Sequence, residues 1–150
     1  MRETPAPKPS QQLITRVGYA GLLPFALCLF YAWLHGPGLP AFLFVTWSAI
    51  VQAFVVGSLW GMLLFADGEA LDRRPAVIAI ALIAMTAWTA LSLGDLLWSG
   101  IALVVGHLIT YAVERRFFLD LQPGWYQRLR LLLVSVVSIM HGLLILRVMI

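Results

Sequence analysis

Long apolar stretches alternate with short polar or breaker-rich connectors along the whole chain. The pattern predicts five membrane-spanning helices, at about residues 13–34, 41–65, 75–93, 96–113 and 129–150. Each has about the 20 residues needed to cross ~30 Å of hydrocarbon at 1.5 Å per residue. Residues 1–12, with Pro5, Pro7 and Pro9, are expected to be a disordered tail. The first apolar stretch is too long for the h-region of a signal peptide, and no small-x-small cleavage pattern follows it, so it is expected to remain as a span. Pro24 should kink that span by removing one backbone donor. His35-Gly36-Pro37-Gly38-Leu39-Pro40 reads as a tight turn. Pro75 suits the first turn of the third span. Gly94-Asp95 reads as a minimal turn, with Asp95 the N-cap of the fourth.

Composition removes the alternatives to a membrane fold. The chain of 150 residues is 61% hydrophobic and 11% charged, against roughly 25% charged in soluble domains. A fold this small has too little interior to hide so much apolar surface from water. The expected fold class is therefore an all-α membrane protein: one five-helix domain over residues 13–150. Cys28 is the one cysteine, which rules out an intrachain disulfide.

Charge supplies orientation. The connector from Glu114 to Arg130 is the longest run that hydrocarbon would reject, and it carries four of the ten basic residues. With five spans, nine basic residues fall on the side of the N-terminus and only Arg147 on the other. Such an asymmetry places the N-terminus in the cytoplasm, or the mitochondrial matrix, and the C-terminus outside. The expected location is a bacterial inner membrane, with the mitochondrial inner membrane as the alternative.

Several stretches resemble a known family: Val17 to Phe25 (Val-Gly-Tyr-Ala-Gly-Leu-Leu-Pro-Phe), Phe54 to Gly61 ending in Trp-Gly, Glu114-Arg115-Arg116, and Pro123 to Arg130 (Pro-Gly-Trp-Tyr-Gln-Arg-Leu-Arg). They are similar to a small uncharacterised membrane family, a domain of unknown function that includes transmembrane protein 69. The resemblance covers nearly the whole chain and implies five spans. It brings no established activity. The family pattern has Ser, a second Gly and His where this chain has Ala53, Val56 and Leu59, so no role resting on that histidine carries over.

Four constellations are candidates for function. The first is a ladder of small residues in the second span, Ala49, Ala53, Gly57 and Gly61, four apart and so on one helix face. Such a face admits close helix packing, within the bundle or with another membrane protein. Gln52 lies beside it and needs a hydrogen-bond partner. The second is the basic face: Arg73, Arg74, Arg115, Arg116, Arg128 and Arg130, with Trp125, Tyr126, Phe117 and Phe118 as an aromatic belt. Topology alone accounts for it. The sharper reading is a site for anionic lipid headgroups or an acidic partner, because the guanidinium fork suits phosphate.

The third is a polar stripe in the fourth span, His107, Tyr111 and Glu114, and the fourth is His141 in the fifth span, with Ser135 and Ser138 nearby. Ionisable groups inside a span are functional candidates by default. The plain alternative is neutral histidines bonded between helices. If His107 and His141 face each other they could hold haem b, or one could serve a quinone pocket. Axial depth argues against that pairing, since His107 is ~10 Å from Glu114 and His141 ~16 Å from Arg130. Asp67, Glu69 and Asp72 match no metal-ligand spacing and read as charge balance for Arg73 and Arg74.

No nucleophile motif or phosphate loop is present. The expectation is a non-enzymatic accessory or assembly subunit with no cofactor or metal. Its partner would be another membrane protein or a second copy, together with bilayer lipid, and not nucleic acid. The alternatives are a haem- or quinone-binding protein using His107 and His141, and an oligomeric channel or carrier.

Overall fold

The computed structural model describes residues 8–65 and 73–150, and side chains at all of these except Arg73. Six α-helices are present: α1 (Pro9–Ala20), α2 (Leu23–His35), α3 (Gly38–Phe65), α4 (Arg73–Ser92), α5 (Leu96–Phe117) and α6 (Gly124–Met149). A short 3-10 turn, Leu119–Leu121, joins the last two. No strand occurs among the described residues. Five stretches are long and apolar enough to cross a membrane, with α1 and α2 together forming the first. The protein is a multi-pass, all-helical membrane protein.

Local chemistry sets the ends of these helices. α1 begins at Pro9, inside the segment expected to be a disordered tail, because proline fits the first turn of a helix. The segments 1–7 and 66–72, with Asp67, Glu69 and Asp72, lie outside the described residues. Pro24 produces a break between α1 and α2 rather than a simple bend. The carbonyl of Gly21 at that break accepts a hydrogen bond from the Trp47 indole at 3.1 Å. The turn before α3 uses Gly36 at φ 97°, and the one before α5 uses Gly94 at φ 67°, both left-handed positions that favour glycine. Asp95 caps α5, its carboxylate accepting the backbone N–H of Trp98 at 2.9 Å.

α3 packs against α2, α4 and α5; α5 against α3, α4 and α6; and α6 closes the bundle against α2 and α1. The apolar interior falls into two clusters. One, around Phe25, Phe44, Leu103 and Leu144, lies toward the α2–α3 turn. The other, around Leu59, Ile80, Ile83 and Phe118, lies toward the α5–α6 connector, here termed the basic end. Between them sit buried polar side chains: Ser48, Gln52, His107 and Thr110. The outer faces are apolar, with Phe54 75% and Trp88 66% exposed, as expected where lipid is the solvent.

The connector is shorter than the sequence suggests. α5 continues past Val113 to Phe117, and α6 begins at Gly124 rather than near Leu129. Glu114 and Arg130, expected outside the hydrocarbon, are both buried. They are tolerated inside the bundle because they pair with each other.

Gly106 marks the closest approach in the interior. A Cβ there would sit 2.5 Å and 2.7 Å from the amide nitrogen and oxygen of Gln52, and 2.9 Å from the Thr86 hydroxyl. Gly106→Ala is expected to destabilise the bundle by about 1–3 kcal/mol through overpacking. Gly57→Ala, where a Cβ meets nothing within 4 Å, should leave stability unchanged or raise it by up to ~1 kcal/mol. Thermal unfolding in detergent compares the two directly.

Candidate functional site

Three groups of side chains hydrogen-bonded to one another lie in the buried interior of the described residues. The deepest joins α3, α5 and α6. The Ser48 hydroxyl lies 3.0 Å from Nε2 of His107 and 2.9 Å from Nε2 of His141. Nδ1 of His141 lies 2.8 Å from the Val137 carbonyl oxygen, which can only accept. With neutral rings this sets the proton on Nδ1 of His141 and leaves its Nε2 as an acceptor. Ser48 then donates to His141, and His107 donates its Nε2–H to Ser48. The chain of donors runs one way, from α5 through α3 to α6.

One turn along α3, Gln52 donates its amide to the Thr86 hydroxyl, which itself donates to the Ile83 carbonyl at 2.7 Å. The Gln52 amide oxygen is buried and has no hydrogen-bond partner. Gly106 is what allows this amide to lie against α5.

The third group locks the basic end. Nε of Arg130 lies 2.9 Å and 3.1 Å from the two carboxylate oxygens of Glu114, and a terminal nitrogen lies 2.9 Å from one of them. Gln122 donates to the same carboxylate at 2.9 Å. Gln127 in turn donates to the carbonyls of Leu119 and Gln122, both at 2.9 Å. The connector is thereby tied to both helices it joins.

The model of DUF3429, a family of proteins of unknown function, matches residues 10–146, which takes in all three groups. The chain belongs to the DUF3429 family. No curated protein and no solved structure matches it. The link to transmembrane protein 69 rests on the sequence motifs alone.

In this DUF3429 protein, His107 and His141 do meet, with ring centroids 5.7 Å apart, despite their different distances from the basic end. The long Arg130 side chain reaches Glu114 without bringing the two backbones level. The Nε2 atoms that a bis-histidine haem would use are already engaged. A porphyrin would have to stand between the two Nε2 atoms, and both are bonded to one serine hydroxyl. Phe44 packs edge-on against His141 at 4.9 Å, and Phe25 lies at 6.1 Å. Tyr111, the third residue of the haem and quinone reading, is half-buried and takes no part in the network. Among the described residues, no group of three or more His, Cys, Asp or Glu side chains could hold a metal ion.

The basic face is only partly a surface. Arg130 is withdrawn into its pair with Glu114, because an isolated buried carboxylate would be far more costly. Arg74, Arg115, Arg116 and Arg128 remain exposed. Arg116 lies over the Phe117 ring at 5.5 Å, and Trp125 meets Tyr126 edge-on at 5.7 Å. Arg147, at the opposite end, donates to the Ala32 carbonyl at 3.1 Å and lies 5.9 Å from the Trp33 ring centroid. It fastens the end of α6 to the end of α2.

The small-residue ladder does not pack inside the bundle. Only Ala49 is buried; Ala53 and Gly57 are exposed and Gly61 half-buried. α3 turns the neighbouring face inward, because Phe44, Ser48, Gln52, Val56 and Leu59 lie there. Ser48 was not among the candidates read from the sequence. The available signal was its spacing of four from Gln52, which puts two polar side chains on one face of an apolar helix.

Removing one partner of the buried ion pair should be severe, and removing both much less so. Glu114→Gln or Arg130→Met alone is expected to cost roughly 3–5 kcal/mol, and the double variant less than the sum of the two. Ser48→Ala should cost about 0.6–2 kcal/mol by unlinking the histidines. Unfolding of the four variants in one detergent forms the double-mutant cycle and measures the serine beside it.

Proposed function

We propose that this DUF3429 protein is a non-enzymatic accessory or assembly subunit of a membrane complex, docking through its helices. The observation that carries this reading is the outward placement of Ala53, Gly57 and Gly61 on α3. A Cβ added at either glycine meets nothing within 4 Å in the chain. Small residues facing outward let a second helix come close, and in lipid that packing is what drives helices together. The interior adds support of another kind. The ionisable side chains buried among the described residues, Glu114, Arg130, His107 and His141, are each bonded within the bundle.

The occupant of that face is another membrane protein or a second copy of this one. In this reading the arginine-rich end lies in the cytoplasm, following the basic asymmetry, and the membrane is a bacterial inner membrane.

The test uses Gly57→Leu and Gly61→Leu together. The double variant should keep the wild-type melting temperature within a few degrees, because both positions are open in the chain. It should lose the higher-mass assembly that the wild type is expected to form on native gels of mildly solubilised membranes. Wild type and variant running at the same mass would end the docking reading.

A further inference from the structure

We propose that the groove between α1 and α6 at the basic end is a binding site for an anionic glycerophospholipid, with Arg128 holding the phosphate. The cavity encloses about 200 Å³. α1 contributes Gln11, Thr15 and Tyr19, and α6 contributes Trp125 and Arg128, with Leu129 and Leu132 below them. The polar ends of those first five side chains have no hydrogen-bond partner among the described residues. Every one of them can donate, and no carboxylate is among them.

Arg128 forms no ion pair among the described residues. Glu114, the buried acid at this end, is held by Arg130, and that is the ion pair formed among the described residues. A guanidinium flanked by an amide, a hydroxyl and an indole N–H matches the oxygens of a phosphate diester.

The groove also has the polarity profile of a lipid. α1 and α6 both start at the basic end and run in the same direction, touching where Gly18 approaches Leu129 and Leu133. Gln11, Trp125 and Arg128 stand at the mouth, in the first turns of their helices. Leu129 and Leu132 line the wall farther in, where acyl chains would lie. From Gln11 to Tyr19 is about 12 Å along the axis, the depth over which a headgroup gives way to hydrocarbon. α1 has no buried residue of its own, so this side of the bundle is left for lipid to complete.

Selectivity follows from the missing acid. No carboxylate among the described lining residues would pair with the ammonium of choline or ethanolamine, so a headgroup that leaves the phosphate's charge to Arg128, such as glycerol, is preferred. The site is separate from the outward face of α3 and stands or falls independently of it.

The test is native mass spectrometry of the detergent-purified full chain, titrated with phosphatidylglycerol, phosphatidylcholine or inorganic phosphate. One phosphatidylglycerol per chain should bind ahead of the other two. Arg128→Gln should weaken it about fivefold or more, the scale of one basic residue at an anionic surface. Arg116→Gln, exposed but outside the groove, should leave it unchanged. Both variants should melt with the wild type, since both side chains are exposed. Equal binding of the two lipids, equal effects of the two substitutions, or inorganic phosphate binding as well as lipid would each overturn the assignment.

Discussion

Hydrocarbon offers no hydrogen bonds, and that constraint organises this bundle. A polar side chain carried into a span turns to its own helix, as Thr110 does to the Gly106 carbonyl, or to another helix for a partner. Ser48 answers to α5 and α6 at once, and Gln52 to α4. Glu114 and Arg130 answer to each other across the connector. These bonds act at fixed points, so they set which helix faces which and at what depth. Apolar packing by itself is less selective in lipid, where the tails are as oily as leucine.

The polar groups also divide the interior. Two apolar clusters lie on either side of the Ser48–Gln52 level, one near each membrane face. Gly106 is the geometric condition for this arrangement, since any larger residue would press on Gln52 and Thr86. Arg147 does for the far end what Arg130 does for the near one, bonding α6 to α2 through the Ala32 carbonyl. The bundle is therefore held by polar fastenings at both ends and in the middle. α1 hangs mainly on α6 and leaves a polar groove at its edge.

Much of this was legible along the chain, and for identifiable reasons. Gly94-Asp95 and the Pro24 break are read from local chemistry that needs no tertiary context. Span ends were harder. The apolar pattern stops near Val113, yet α5 runs on through Glu114, Arg115 and Arg116. A carboxylate reads as surface until its partner is known, and Arg130 is sixteen positions away. The ladder on α3 was visible as a stripe, but a stripe of small residues does not say whether it faces in or out. The rows through Ser48 and Gln52 decided that, because their need for partners outweighs the modest packing gain of small residues.

The amino-acid sequence by itself determined the solvent, the number of spans and the breaks between them, because those depend on apolar length and on breakers at short range. It also named the two histidines inside the spans. Only the tertiary structure decided that they meet. That His107 and His141 share one serine, and that Arg130 turns inward while Arg128 stays at the surface, follow from how antiparallel helices rotate and slide against each other. Rotation and depth are set by contacts between residues far apart in the chain, which periodicity along one helix does not contain.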